Sequence, residues 1–182
     1  MKNIKHVEFS NSTNSNAKFD FVKLETLFQK KNMDHSVEKP HKVGFFVIIL
    51  IEEGNGHHNI DFIDYQCSKG TLLTIRKDQI HKFSKNDSLT GSLLVFTNDF
   101  LANYLEQIEA QKSLLLFNES LENPKIQLND SEFNDVKKLV FHIEKEYFGI
   151  NDGFQMGIIR SALHILDLLL IKSFCLFCVI KL

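Results

Sequence analysis

A run of nine residues constrains the fold of this chain more than any other feature: Val-Gly-Phe-Phe-Val-Ile-Ile-Leu-Ile, residues 43–51. Its β-branched and aromatic side chains favour a strand, and the run is too short for an ordinary helix. Successive side chains of a strand point to opposite faces, and here both sets are apolar. The run therefore predicts a strand that is buried on both faces.

Further short strands follow along the chain. The polar, glycine-containing residues 52–56 predict a turn, and the alternation of residues 58–65 predicts a single strand that returns as the second arm of a hairpin. Residues 71–75 and 91–97 predict two more strands, and residues 19–31 fit a strand that passes into a short helix. Short strands divided by turns about every 8 to 12 residues are typical of a β-sandwich or barrel.

The hydrophobic period changes to that of helices after Thr97. One helix is predicted over residues 100–108. Another begins at Asp130 and carries an apolar stripe of Phe133, Val136, Val140, Ile143 and Tyr147. The last helix carries apolar residues at spacings of 3, 4, 3 and 4, namely Met156, Ile159, Leu163, Leu166 and Leu170. Such a stripe packs against either the chain's own core or a second copy of the chain, and its spacing leaves both open. We expect an N-terminal segment at 1–38, a barrel core at 39–97 and a helical region at 98–182.

Composition limits the partners of the chain. The formal net charge is −2, from 21 Lys and Arg against 23 Asp and Glu, and Arg76 and Arg160 are the two arginines. Proteins that bind nucleic acid over a broad surface usually carry an excess of basic residues, and this composition has no such excess. Three cysteines give no disulfide framework and the N-terminus has no apolar signal segment, so we expect a cytoplasmic protein. Charges at Asp167, Lys172 and Lys181 interrupt the apolar C-terminal end, which argues against a membrane span.

Four fragments resemble the N-terminal domain of AraC/XylS-type transcription regulators: PHKVGFF at 40–46, IEEGNGHHNIDF at 51–62, QIHKF at 79–83 and LVFTNDFL at 94–101. The resemblance implies a mainly β fold with α, a cupin-like jelly-roll barrel followed by a helical hairpin. It also implies that the last helix, with the stripe from Met156 to Leu170, pairs with its twin in a homodimer.

Regulators of this family contact DNA through a second domain with two helix-turn-helix units. Residues 171–178 have no resemblance to that domain, so we expect this chain to be the effector-sensing and dimerising half, which reaches DNA only through a domain outside it. Cys175 and Cys178 form a CxxC pair, but no second pair completes a zinc site, and we interpret them as incidental.

Cupin enzymes hold a metal with three His and a Glu, and the resemblance lays this pattern on the chain. His41 and His81 match two ligands, whereas the other two fall on Val43 and about Val47. Two ligands do not close a catalytic site, so we predict no metal, no cofactor and no catalysis. A barrel without metal is suited to a small organic effector. The predicted ligand-binding residues are His41, Phe45, Val47, His58, Tyr65 and His81.

Three alternatives remain at this point. The side chains of a small barrel often simply fill it, which leaves no room for an effector. A stand-alone cupin enzyme, such as a metal-dependent isomerase or dioxygenase, is the second alternative. A purely structural dimerisation module is the third.

Overall fold

Two five-stranded sheets lie face to face, and a pair of helices covers the outer face of one of them, in a computed structural model of the chain. The structure describes residues 4–11, 17–29, 36–84, 88–102, 117 and 123–179, with the side chains of 174–179 excepted. The strands are β1 (Lys5–Val7), β2 (Phe19–Lys23), β3 (His41–Val43), β4 (Phe46–Glu53), β5 (Asn55–Ile60), β6 (Ile63–Ser68), β7 (Thr71–Ile75), β8 (Ile80–Phe83), β9 (Thr90–Phe96) and β10 (Lys125–Gln127). The helices are α1 (Leu24–Gln29), α2 (Asn98–Ala102), α3 (Asp130–Tyr147) and α4 (Gln155–Val179).

The strand order is β1-β3-β8-β5-β6 in the first sheet, sheet A, and β10-β7-β4-β9-β2 in the second, sheet B. The pairings are antiparallel except for β1 with β3. The predicted cupin-like β architecture with a C-terminal helical pair is therefore confirmed. Strands β1 and β2 come from residues before 39 and β10 from residues after 97, so all three expected segments contribute to the sheets.

The predicted hairpin between residues 52 and 65 is wrong in its pairing. Strand β4 belongs to sheet B and β5 to sheet A, so the chain crosses between sheets at Gly54 instead of folding back. The predicted single strand at 58–65 is two strands, β5 and β6, joined by a turn at Asp61 and Phe62. Both turn residues have positive φ, 47° and 69°, the conformation of a two-residue hairpin turn.

Strand β4 is buried on both faces, as the run at 43–51 predicts, although the run is broken at Gly44 and Phe45. Val47, Ile49 and Ile51 point into the apolar cluster between the sheets. Ile48 and Leu50 point the other way, into a second cluster that the helices cover. Strand β4 therefore lies between the two apolar clusters and belongs to both. Full burial of each such side chain contributes about 1.5–3 kcal/mol to the stability of the fold.

The helical pair packs on the outer face of sheet B. A capping box starts α3, in which the Asn129 side chain accepts from the backbone N–H of Glu132 and the Glu132 carboxylate accepts from that of Asn129. The predicted α3 stripe is confirmed, with Phe133, Val136 and Val140 buried among others. Of the helix predicted at 100–108, α2 covers the beginning, and the rest lies outside the described residues.

The α4 stripe faces the interior of the single chain. Ile159, Leu163, Leu166 and Leu170 are fully buried, and the half-buried Met156 packs against the same cluster. These five residues, which the resemblance assigned to a dimer interface, are therefore core residues here, and a second copy would reach them only after the helices had unpacked. Among the described residues, no helix is both long and apolar enough to cross a membrane.

Two glycines allow the close approach of strands at the end of β4. Gly91 (φ +150°) lies against the carbonyl oxygen of Leu50, which a Cβ atom would overlap. Gly54 (φ +91°) lies in the same way against the carbonyl oxygen of Ser88. Between Ile51 and Glu53 the pairing with β9 shifts in register. Side chains at these two glycines would push apart the strands that close this end of sheet B.

Candidate functional site

Three histidines meet on the inner face of sheet A. The register of β3 and β8 places His41 opposite His81, and β5 adds His58 on the other side of β8. His58 Nε2 lies 3.2 Å from His81 Nδ1, within hydrogen-bonding distance. The ring centroids of His41 and His81 are 4.3 Å apart, and all three side chains are buried. Period-2 alternation explains the facing, because the neighbouring His57 is exposed.

Burial favours the neutral form of two of these histidines, His41 and His58. His41 Nδ1 lies 2.9 Å from the carbonyl oxygen of Lys39 and must donate to it, because a carbonyl only accepts. Burial lowers the pKa of His41, although this hydrogen bond partly opposes the shift. Burial, aided by the proximity of His41, lowers the pKa of His58 to about 3. Neutral imidazole offers one donor and one acceptor, so these two side chains present both kinds of polar atom without charge.

His58 retains a polar atom without a partner. Its Nδ1 is buried and makes no hydrogen bond within the part of the chain that the structure describes. An unsatisfied buried polar group costs about 1–3 kcal/mol, and such groups are rare in folded proteins. The ring edge-packs with Phe83 at a centroid distance of 4.2 Å. The sequence pattern does not single out Phe83, although it follows His81 by two residues in the same strand and therefore shares its face.

The other predicted ligand-binding residues surround this cluster. Tyr65 is paired with His58 across β5 and β6, and burial, with Asp61 nearby, raises the pKa of its phenol. Val47 is buried on the inner face of sheet B, and the half-buried Phe45 packs against the same inner cluster. The structure thus gathers four polar residues on adjacent strands of sheet A, and Phe45 and Val47 pack in the apolar cluster between the sheets. Apolar side chains fill the space between the sheets.

The residues present do not make a cupin metal site. Val43 and Val47 occupy the two positions where the pattern needs ligands, and both are buried apolar residues of the inner cluster. In the part of the chain that the structure describes, no three His, Cys, Asp or Glu side chains are grouped so that they could hold a metal ion. Cys67 is buried and makes no disulfide, whereas the side chains of Cys175 and Cys178 lie outside the described atoms.

The helical pair presents a second apolar surface on the face of α4 opposite its buried stripe. Ile158, Ile165 and Leu168 are 38–51% exposed, and the α3 side chain of Phe141 is 63% exposed. A shallow cavity of about 410 Å³ lies between the helices here, lined by Leu139, Ile158 and Ile165 among others. Exposed apolar side chains grouped in this way mark interaction sites.

Comparison of the sequence with protein families decides the family. The AraC-like ligand binding domain matches residues 24–135, more than half of the chain. The chain belongs to this family. The match spans α1 and β3 to β10, and so includes the histidine cluster and every strand of the two sheets except β1 and β2. No curated protein sequence matches the chain.

Solved structures with a similar arrangement include two AraC-like regulators. The AraC-like transcriptional activator CuxR is 12% identical, with a TM-score of 0.43, over 69% of this chain and 42% of its own. ToxT from Vibrio cholerae, in an apo form from strain SCE256, is 12% identical, with a TM-score of 0.46, over 82% of this chain and 54% of its own. The EutQ protein of Clostridium difficile is 21% identical over 33% of this chain and 49% of its own, with a TM-score of 0.29. The chain spans about half the length of the two regulators.

Proposed function

We propose that this chain is the effector-sensing part of an AraC-type transcription regulator of the cytoplasm and is itself non-catalytic. The effector is a small molecule that binds between the two sheets, at His41, His58, Tyr65 and His81. The observation that carries the proposal is the buried Nδ1 of His58, a polar atom for which the described residues provide no hydrogen-bond partner. Family membership supplies the ligand-binding role.

The chemistry of the cluster favours an uncharged, polar effector. Low pKa values keep His41 and His58 neutral, so neither provides a charge to bind an anion. A hydroxyl or amide group supplies the donor or acceptor that His58 Nδ1 lacks. Because apolar side chains fill the interior, the effector must displace some of them. Phe45 and Tyr65 are the half-buried members of the set and are the least costly to move.

Strand β4 provides the route from the effector to the helices. Its inner residues, such as Val47 and Ile49, line the space between the sheets, and its outer residues, Ile48 and Leu50, pack against the helical pair. A shift of this strand therefore displaces side chains both between the sheets and under the helical pair, because close-packed cores transmit displacement. DNA is contacted only through a domain outside this chain.

Ligand screening with matched variants tests the effector site. Thermal unfolding of the wild type with a panel of uncharged polyols, amides and phenols should identify a stabilising compound. His58→Leu, which replaces the buried histidine, should abolish the stabilisation by the compound. His57→Leu, which replaces its exposed neighbour, should leave that stabilisation intact. A compound that stabilises all three proteins equally would place the ligand elsewhere. The absence of any stabilising compound in a broad panel of this class would contradict the proposal.

We further propose that the chain forms a homodimer through the exposed face of α4, since the predicted stripe is buried in the single chain. Ile165→Glu should give a folded monomer, because a charge in such an interface remains unpaired. Leu163→Glu, two residues away, should unfold the chain, because Leu163 is fully buried. Sedimentation and circular dichroism measure both results. A wild-type monomer at high concentration, or an Ile165→Glu dimer of unchanged affinity, would exclude this interface.

A further inference from the structure

Strand β6 forms one edge of sheet A, and its outer backbone groups face solvent. It pairs with β5 on one side and, in the described part of the chain, with no strand on the other. Ile63 follows a two-residue turn and forms the first hydrogen-bonded pair with β5, so the odd-numbered residues of β6 bond to that strand. The N–H and C=O groups of Asp64 and Gln66 therefore point away from the sheet. Both residues are exposed, so these groups are accessible to another strand.

The other three sheet edges among the described strands are protected against pairing with a further strand. β1 and β10 are each three residues long and carry a lysine, Lys5 and Lys125 respectively. At β2 the side chain of Asn11 donates to the carbonyl oxygen of Phe19, and the end of α3 lies beside the strand. β6 is six residues long, pairs without a bulge and contains neither lysine nor proline. Proteins block exposed edges with such devices, so β6 is the edge that remains open to another strand.

Two large apolar side chains are exposed at the beginning of β6. Phe62 is 70% exposed and Ile63 is 58% exposed. Ile63 lies opposite Ile60, which is buried between the sheets, and so belongs to the same face. Exposed apolar side chains beside an open edge favour a partner strand that covers them as well as bonding to the backbone.

A second copy of β6 fits this edge in an antiparallel pair with a two-fold axis at Tyr65. Asp64 then lies opposite Gln66 of the second copy, and Gln66 lies opposite Asp64 of that copy. Both residues point outward, so each pair exchanges both of its N–H···O bonds. Asp64 Oδ1 accepts from Asn59 Nδ2 at 2.7 Å, which leaves Oδ2 able to accept from the carboxamide of the opposite glutamine.

The neighbouring registers are less favourable. An axis at Asp64 places two carboxylates directly opposite each other, and like charges in that position destabilise a sheet. An axis at Gln66 places Asp64 opposite Ser68, whose N–H already donates to Thr71 Oγ1 at 3.0 Å. One backbone hydrogen bond of each such pair is then lost.

We infer that two copies of this chain associate through β6, in the register with its axis at Tyr65, and join their A sheets into one continuous sheet. The same pairing places Ile63 opposite Cys67 of the second copy, so the exposed side chain of Ile63 becomes partly covered. A single strand pair buries less than a standard interface of about 1,600 Å², so we expect a dissociation constant of about 0.1 mM. The helical pair covers sheet B, so this contact is separate from the one proposed for α4.

Hydrogen exchange at the backbone amides of Asp64 and Gln66, followed by NMR, tests the pairing. The unpaired strand exchanges and the paired strand is protected, so both amides should exchange about fourfold more slowly at about 1 mM chain than at about 20 µM. The measurement is made in Ile165→Glu as well as in the wild type, so association through α4 neither causes nor hides the effect. Failure at β6 is therefore distinguishable from failure of the α4 contact.

Substitutions at Gln66 test the register. Gln66→Lys places a positive charge opposite Asp64 of the second copy and should lower the dissociation constant about fivefold at low salt, whereas Gln66→Glu should raise it about fivefold. Asn134→Lys and Asn134→Glu are the matched controls, because they change the net charge equally at an exposed position of α3 and should leave the dissociation constant unchanged. Gln66→Pro should remain folded by circular dichroism and lose the concentration dependence at Asp64, because the N–H of residue 66 points away from β5.

Three results would overturn the inference. They are equal exchange of the Asp64 amide at the two concentrations, a shift of the dissociation constant in the same direction by Gln66→Lys and Gln66→Glu, or undiminished association of a folded Gln66→Pro chain.

Discussion

Acid should destabilise this fold through His58. Burial holds the pKa of His58 at about 3, whereas the unfolded chain titrates near the ordinary value of 6.5. Between these two pH values His58 is protonated in the unfolded chain but not in the folded chain, so the stability of the fold falls as the pH drops below 6.5. The contribution of neutral His58 to the free energy of unfolding is fully present above pH 6.5 and is lost progressively as the pH falls toward 3.

The size of the effect follows from the interval between the two pKa values. Each pH unit inside the interval is worth at most about 1.4 kcal/mol, so at pH 5 the loss from this residue is about 2 kcal/mol relative to pH 8. For a chain of this length that loss lowers the melting temperature by roughly 4–8 °C.

Urea unfolding at pH 5 and pH 8, monitored by far-ultraviolet circular dichroism, measures this loss. The wild type and the exposed-site control His57→Leu should both show it, and His58→Leu should lose less by about 2 kcal/mol. The comparison uses the change between the two pH values, so the constant cost of removing the contact with His81 cancels. An identical pH dependence in the wild type and His58→Leu would refute the argument.

Three further predictions concern other parts of the molecule. Burial raises the pKa of Asp167, whose carboxylate oxygens have no hydrogen-bond partner among the described residues. Asp167→Asn should therefore gain stability over the wild type as pH rises above 3.8, by at most about 1.4 kcal/mol per pH unit; a pH-independent difference in urea midpoints would contradict this. Gly91→Ala should cost about 2–4 kcal/mol in thermal unfolding, because its Cβ atom overlaps the Leu50 carbonyl, and an unchanged melting temperature would show that the strands yield freely. With a net charge of −2, the chain should show no sub-micromolar duplex binding in a low-salt gel shift; a clear shifted band at that concentration would disprove it.

The strongest sequence patterns predicted the fold well. The apolar run at 43–51 and the α3 stripe from Phe133 onward each specify a burial pattern, and the structure confirms both. The turn at Asp61 and Phe62 could not be recognised, because neither is a glycine or asparagine of the kind that normally marks positive φ. Contacts distant in sequence hold it: the Asp61 carboxylate accepts from the side chain of Gln79 and the backbone of Ile80.

The candidate site was predictable in its residues but not in its geometry. Sequence names His41, His58 and His81, yet their contact depends on the registers of β3 with β8 and of β8 with β5. Register is a long-range property that no local pattern contains. The same limit applies to the α4 stripe, since its spacing suits a partner in the same chain as well as one in another.

The double-sided burial of sheet B affects how the protein is made. The ribosome completes β9 at Phe96, but the helices that cover the outer face of the sheet end about 70 residues later, near Leu170. At about 5–20 residues per second, that interval lasts roughly 4–15 s. During this interval the helices do not yet cover the outward-facing apolar side chains of sheet B, such as Ile48, Leu50 and Leu94. The nascent chain is then a natural client for chaperones, and translation that stalls before α3 should yield insoluble fragments.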